Sequence, residues 1–201
     1  MKINIIVRGY LYREGWSPNT TAKKDHPLYI QDFTQLIDAY KKLFNGLAKK
    51  NEISVTFTSY DITPTRIKDI IISNKWNLYL AEEVKSPLQF TTCCSYLETL
   101  NDNHMNLIIR SDLIIKDKLI ELLCDLNYET CEKLLVLQKE PNGQPNDVLF
   151  VVPPTFRKKL CSIIGHRAMG HYLGPIPVSC MVNEEWNVTE ENDYYQIYRG
   201  N

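Results

Sequence analysis

Apolar and polar positions along this chain repeat with two different periods, and each change of period marks an element. Ile3-Asn4-Ile5-Ile6-Val7 is a short apolar run of the kind buried in a sheet. A loop rich in polar and aromatic residues follows from Gly9 to about Pro27. Ile30, Phe33, Ile37, Tyr40 and Phe44 then recur at helical spacing, with Lys41, Lys42, Lys49 and Lys50 late in the run where cations suit the helix dipole. This predicts a first crossover helix. Ile53-Ser54-Val55-Thr56-Phe57 alternates as a strand, with Tyr60-Asp61 just beyond its C-terminal end. Thr63-Pro64 reads as an N-cap and a proline at the first helical position, continued by Ile67, Ile70 and Ile71.

Asn77 to Ala81 predicts another strand, and Ser86-Pro87-Leu88-Gln89 is a capping-box pattern for a helix running to about Leu100. The strand Asn106-Leu107-Ile108-Ile109 ends at Arg110-Ser111-Asp112. Leu119, Ile120, Leu123 and Leu126 mark a helix. Leu134 to Leu137 and Val148 to Val152 read as strands on either side of the turn-rich Pro141 to Asn146, and Phe156, Leu160, Ile163 and Ile164 give the last clear helix. Beyond Gly165 the pattern loosens, and Asn183 to Asp193 is acidic and fits an edge strand, a lid or a tail equally.

Strands alternating with helices predict an α/β fold, a central mostly parallel sheet flanked by helices. The 201 residues suffice for one well-buried domain spanning 1–201. A hydrophobic content of 44% and a charged content of 23% exclude a disordered chain. The net charge of -1 gives no bulk basic surface, so nucleic acid is not the default partner. No apolar run approaches the roughly 20 residues of a membrane span, and Ile3 to Val7 is too short for the core of an export signal. The expectation is a cytoplasmic protein. Cys93, Cys94, Cys124, Cys131, Cys161 and Cys180 lack CxxC spacing and fit reduced core thiols better than zinc ligands or disulfides. The sequons at Asn19 and Asn187 carry little weight in that setting. Dinucleotide, P-loop, serine-hydrolase and zincin motifs are absent.

Ligands of open α/β sheets bind outside the carboxyl ends of the strands. Arg8 to Arg13, Thr58 to Asp61 and Arg110 to Asp112 all follow strands, and Asp147 precedes a late one. In Arg110-Ser111-Asp112 a carboxylate can meet a hard cation and a guanidinium can oppose a diphosphate; an ion pair at a strand end explains the same residues. Asp61 fits either a site or the turn into the next helix. Gln89 fits either a site or the capping box.

These segments together resemble small GT-A glycosyltransferases from large DNA viruses and bacterial surface-polysaccharide loci. Among them the glycosyltransferase domain of a chlorovirus multi-domain capsid-glycan enzyme is similar. The resemblance rests on Arg110-Ser111-Asp112 in place of Asp-x-Asp, on Thr58-Ser59-Tyr60-Asp61, on Gln89-Phe90, and on Asn146-Asp147-Val148-Leu149-Phe150, and covers roughly residues 3 to 165. It implies a Rossmann-like GT-A domain with a nucleotide half (1–105) and a metal and acceptor half (106–201). It implies transfer of a hexose or deoxyhexose from a UDP-sugar to a glycan acceptor, with further domains of a longer chain as partners and a host cytoplasm if the source is viral. Asp112 would ligate Mn²⁺ or Mg²⁺, and Arg110 would face donor phosphate or sugar. Gly9 and Arg13 would approach the nucleotide, with Tyr60, Asp61 and Gln89 near the base and ribose. Asp147 would be the general base, or hold an acceptor hydroxyl, or only close a turn. His171 or His166 would touch metal or phosphate, against the alternative of a packed or surface histidine. A nucleotidylyltransferase fits less well, because Gly9 to Arg13 is sparse in glycine. A non-catalytic binding module is the alternative of another class.

Overall fold

The structure is a computed structural model, and it describes residues 1–15, 29–82, 89–101, 103–132, 134–137, 148–165 and 191–197. In chain order the elements are β1 (Lys2–Arg8), β2 (Tyr12–Gly15), β3 (Tyr29–Asp32), α1 (Ile37–Ala48), β4 (Glu52–Tyr60), α2 (Thr65–Ser73), β5 (Asn77–Ala81), α3 (Gln89–Thr99), β6 (Met105–Arg110), β7 (Leu113–Ile115), α4 (Asp117–Asp125), β8 (Leu135–Val136), β9 (Leu149–Val152), α5 (Pro154–Gly165), α6 (Glu191–Tyr194) and β10 (Tyr195–Ile197).

Six strands form one sheet in the order β5-β4-β1-β6-β9-β8. The first four are parallel, and β9 and β8 run antiparallel to their neighbours. The fold is therefore α/β, with a mostly parallel sheet between helices. Burial on both faces explains why β1 reads as a continuous apolar run rather than an alternating one. Ile3, Ile5 and Val7 join α1, α2 and α4 in one core; Ile6 joins α3 and α5 in the other. The chain leaves β1 for β4 and β5 on one side, then returns to place β6 on the other edge of β1. Right-handed crossovers put the helices of opposite travel on opposite faces. Between β1 and β6 the strand order reverses. Among the described residues no helix is long and apolar enough to cross a membrane.

Most expected elements are present, and the differences have local causes. The first helix begins at Ile37: Ile30 lies in β3, and Phe33 lies in a 3-10 turn, Phe33–Gln35. The Asp32 carboxylate accepts from the Thr34 amide at 3.0 Å and its hydroxyl at 2.7 Å, and the Phe33 amide donates to the Leu11 carbonyl at 2.9 Å. These bonds hold the segment against β2 in place of a helical ladder. Thr63 does not cap α2; its hydroxyl donates to the Tyr60 carbonyl at 2.7 Å, and Pro64 takes the cap position. The pairs β2–β3 and β7–β10 were not anticipated, because strands of three or four residues are too short to carry a readable alternation. Ser86 to Leu88 of the expected capping box lie outside the described residues, as does Cys180. The five described cysteines are free thiols; Cys93, Cys94 and Cys161 are buried, and Cys124 and Cys131 are half-buried.

Gly46 lies where α1 faces α4. A methyl group there would stand 2.8 Å from the Cys124 sulfur. Alanine gains about 1 kcal/mol of helix propensity over glycine, but overpacking of this kind costs about 1–3 kcal/mol. Gly46→Ala should therefore destabilise the wild type in urea melts and become neutral or stabilising in a Cys124→Ala background. Additive effects would show that the sulfur moves aside freely.

Candidate functional site at the strand reversal

A crevice opens at the carboxyl ends of neighbouring strands where the strand order of an open α/β sheet reverses. Here β1 and β6 flank that point. Gly9 follows β1 with φ 123°, a conformation open to glycine and strained for other residues. Its amide donates to the Thr58 carbonyl of β4 at 3.1 Å. Glycine is thus required here by a turn, and its N–H is already committed.

The next residue is the junction of the site. The Tyr10 carbonyl accepts from the Gln31 side-chain amide at 2.6 Å and from the Ser111 hydroxyl at 2.9 Å. A carbonyl has two lone pairs, so both are used. One oxygen therefore ties the loop after β1, the β2–β3 pair and the turn after β6. The Ser111 amide adds a bond to the Arg8 carbonyl at 2.9 Å, and the Arg110 amide one to the Val148 carbonyl at 3.2 Å.

The Tyr10 ring lies 4.5 Å from the Tyr60 ring, tilted by 33°. Tyr60 is fully buried and Tyr10 half-buried, so Tyr10 is the more outward ring of the two. The Arg13 guanidinium sits over Tyr10, 5.1 Å from its centroid. Asp61 is exposed in the turn leading to α2, where its amide donates to the Ala81 carbonyl at 3.0 Å and its own carbonyl accepts from Lys68 at 3.1 Å.

Arg110 and Asp112 form a side-on bidentate pair: Nε donates to Oδ1 at 2.8 Å and Nη2 to Oδ2 at 2.5 Å. Their side chains are 18% and 13% exposed. Tyr40 of α1 braces this turn from below. Its hydroxyl donates to the Arg110 carbonyl and is hydrogen-bonded to the Leu113 amide. Burial, and then the nearby Asp112 charge, push the Tyr40 hydroxyl well above its ordinary pKa, so it stays a proton donor. Arg8, fully buried at the end of β1, brings a second guanidinium close enough for its charge to act on Tyr40.

Asp112 as placed does not fit a divalent cation. Both of its oxygens face a guanidinium, and among the described residues no group of three or more His, Cys, Asp or Glu side chains could hold a metal. Gly9, Arg13, Tyr60, Arg110 and Asp112 are thus gathered around the strand reversal, while Asp61 stands at the outer turn of β4. Gln89 opens α3, with its side chain outside the described residues. Asp147, His166 and His171 lie outside them altogether. Arg8, Tyr10 and Ser111 fall inside the strand-end segments picked out by sequence but were given no role of their own, and Gln31 and Tyr40 were not read as site residues. Tyr40 sits at helical spacing and reads as core. Only Arg8, a charge ending an apolar strand, left a usable signal.

No protein-family model matches this chain, and no curated protein matches it. Solved structures with similar folds include the galactosyltransferase LgtC in complex with donor and acceptor sugar analogs, at 12% identity and a TM-score of 0.49, with 91% of this chain and 67% of that one covered. An active-site mutant of LgtC is similar at 13% identity and a TM-score of 0.48, covering 86% and 67%. The apo form of the glycosyltransferase GlyE from Streptococcus pneumoniae TIGR4 is similar at 14% identity and a TM-score of 0.42, covering 84% of this chain and 39% of GlyE.

Two measurements check this geometry. Tyr40→Phe should cost about 1–3 kcal/mol in urea unfolding, the usual penalty for stranding buried polar groups; an unchanged midpoint would remove Tyr40 as the brace. At Asp32 burial alone would raise the carboxyl, but hydrogen bonds from Thr34 and from Arg66, at 2.6 Å, hold its pKa below the ordinary 3.8. A depressed folded pKa stabilises the fold above the unfolded value and loses that contribution as pH falls through the folded one. Acid melts should therefore show Asp32→Asn flattening the loss of stability below about pH 4.

Proposed function

We propose that this chain transfers a hexose or deoxyhexose from a UDP-sugar to a hydroxyl of a glycan. The observation that supports this reading best is the meeting of the loop after β1 with the Arg110-Ser111-Asp112 turn across the strand reversal, tied through the Tyr10 carbonyl. It gathers aromatic, guanidinium and carboxylate groups where open α/β sheets bind nucleotides.

In the reaction, a bond forms between the acceptor oxygen and the anomeric carbon as the bond from that carbon to the diphosphate breaks. The nucleoside diphosphate leaves with the electron pair, and the acceptor proton passes to a base. Arg110 faces the diphosphate, where a fixed guanidinium opposes the charge that grows on the leaving group. Arg13 and the Tyr10 ring, backed by the buried Tyr60, line the nucleotide side, with Asp61 toward the ribose; Gln89 is assigned to the nucleotide on sequence alone. Asp147 is assigned as the base on sequence alone. The Mn²⁺ or Mg²⁺ implied by the resemblance would reach Asp112 only by displacing Arg110, and no step here depends on it.

The closed Arg110–Asp112 pair also favours a second reading, a nucleotide-binding module without turnover. Calorimetry with UDP and a panel of UDP-sugars, followed by assay of UDP release with glycan acceptors, separates the two. Donor binding with acceptor-stimulated release is the expected result. Binding without release would establish the module, and no binding of any uridine diphosphate compound would sink both. Asp147→Asn should lower turnover more than donor affinity; equal loss of stability in the free protein would leave it a turn residue.

A further inference from the structure

We propose that Arg110, oriented by Asp112, takes the place of a divalent cation opposite the donor diphosphate, so that donor binding is independent of metal; this rests on the nucleotide-sugar reading above. Asp112 is then a positioning residue for Arg110, not a metal ligand.

Four observations carry this. Each Asp112 oxygen accepts from a different guanidinium nitrogen, at 2.8 and 2.5 Å, the planar match that gives arginine–carboxylate pairs their strength. The pair is mostly shielded from water, so it is screened far less than a surface ion pair. The backbone that carries it is fixed on both sides, by the Tyr40 hydroxyl at Arg110 and Leu113 and by the Ser111 bonds to Arg8 and Tyr10. Turning Asp112 outward would therefore break both of its bonds to the guanidinium while the turn itself stays in place. Finally, Arg8 brings a second positive charge to the same strand end. A hard cation seeks several oxygen ligands, and here it would meet a carboxylate whose two oxygens are both engaged by Arg110, with Arg8 in register beside Arg110 on the neighbouring strand. A diphosphate finds there the charge that it needs.

The test begins with Mn²⁺ alone. The full chain is titrated with Mn²⁺ and the free ion is read by electron paramagnetic resonance, with and without UDP. Wild type should show no uptake that Asp112→Asn removes, whereas Arg110→Asp, which supplies a second carboxylate, should gain uptake. Calorimetry then compares UDP with uridine, in Mn²⁺ and in chelator. UDP should bind equally in both. Arg110→Ala should weaken UDP by about 10- to 100-fold, the range for a lost charge-assisted hydrogen bond, and leave uridine unchanged. Asp112→Asn should weaken UDP less, again sparing uridine, which a general loss of structure would not do. Mn²⁺ uptake by wild type that Asp112→Asn abolishes, or UDP binding lost in chelator, overturns the inference while the nucleotide-sugar reading stands. Failure of both UDP and uridine to bind under either condition overturns that reading and this inference with it.

Discussion

Strand β1 has a parallel neighbour on each edge and a helical layer over each face, so its backbone is committed to β4 and β6 and its apolar side chains to two cores. The mid-strand polar residue Asn4 survives there by donating to Asn106 on the adjacent strand at 3.3 Å. Such a strand cannot shift in register without exposing one core or stranding that amide. Its end is therefore a fixed point. Arg8, Gly9 and Tyr10 leave the sheet at a position dictated by burial on both faces, and the chemistry of the candidate site is hung from them.

From that fixed point the site is assembled through backbone groups more than through side-chain packing. The Tyr10 carbonyl takes donors from β3 and from the turn after β6, and the Arg8 carbonyl takes the Ser111 amide. Each net bond contributes only about 0.5–1.5 kcal/mol, but a buried group left without its partner costs more than the bond is worth. The arrangement is consequently cooperative in loss: removing one donor weakens the placement of three segments. The Arg110–Asp112 pair has the same character, since breaking a buried pair costs about 3–5 kcal/mol even where its net contribution is small.

The layered α/β arrangement was legible in the sequence because period and length separate a strand such as Ile3 to Val7 from a helix such as Phe156 to Ile164. The strand ends were legible for the same reason, and they located Arg110 to Asp112 and Thr58 to Asp61 beside the crevice. What pattern could not give was the direction of commitment. Ile30 and Phe33 fall on a helical spacing with Ile37, yet the Asp32 carboxylate and the Leu11 carbonyl bind the amides that a helix would need. Thr63 has the identity of a cap and spends its hydroxyl on Tyr60. Tyr60 reads as a site residue and is covered by Tyr10, whose carbonyl takes donors from Gln31 and Ser111, 21 and 101 positions away in the chain. Residues that act through long-range hydrogen bonds leave no local trace.

The two faces of the sheet meet electrostatically at this one strand end. Arg8 shares the face of Ile6, by the alternation of side chains along a strand; on that face burial drives the Cys93 thiol of α3 up to about 12, with the Arg8 charge acting in the opposite sense. The same guanidinium acts on Tyr40 of α1, across the sheet, where Asp112 acts in the opposite sense. A neutral thiol and a neutral phenol thus line the two sides of a cationic strand end, and neither contributes a competing negative charge at neutral pH. The carboxylate that does compete is held by Arg110. Preorganised charge does its work by being in place before the substrate's charge arrives, and a buried Arg8 beside a braced Arg110 suits an anion coming to this crevice. That consideration joins the fold to the proposed donor: the part of a nucleotide-sugar that such an end of a strand would recognise is its diphosphate.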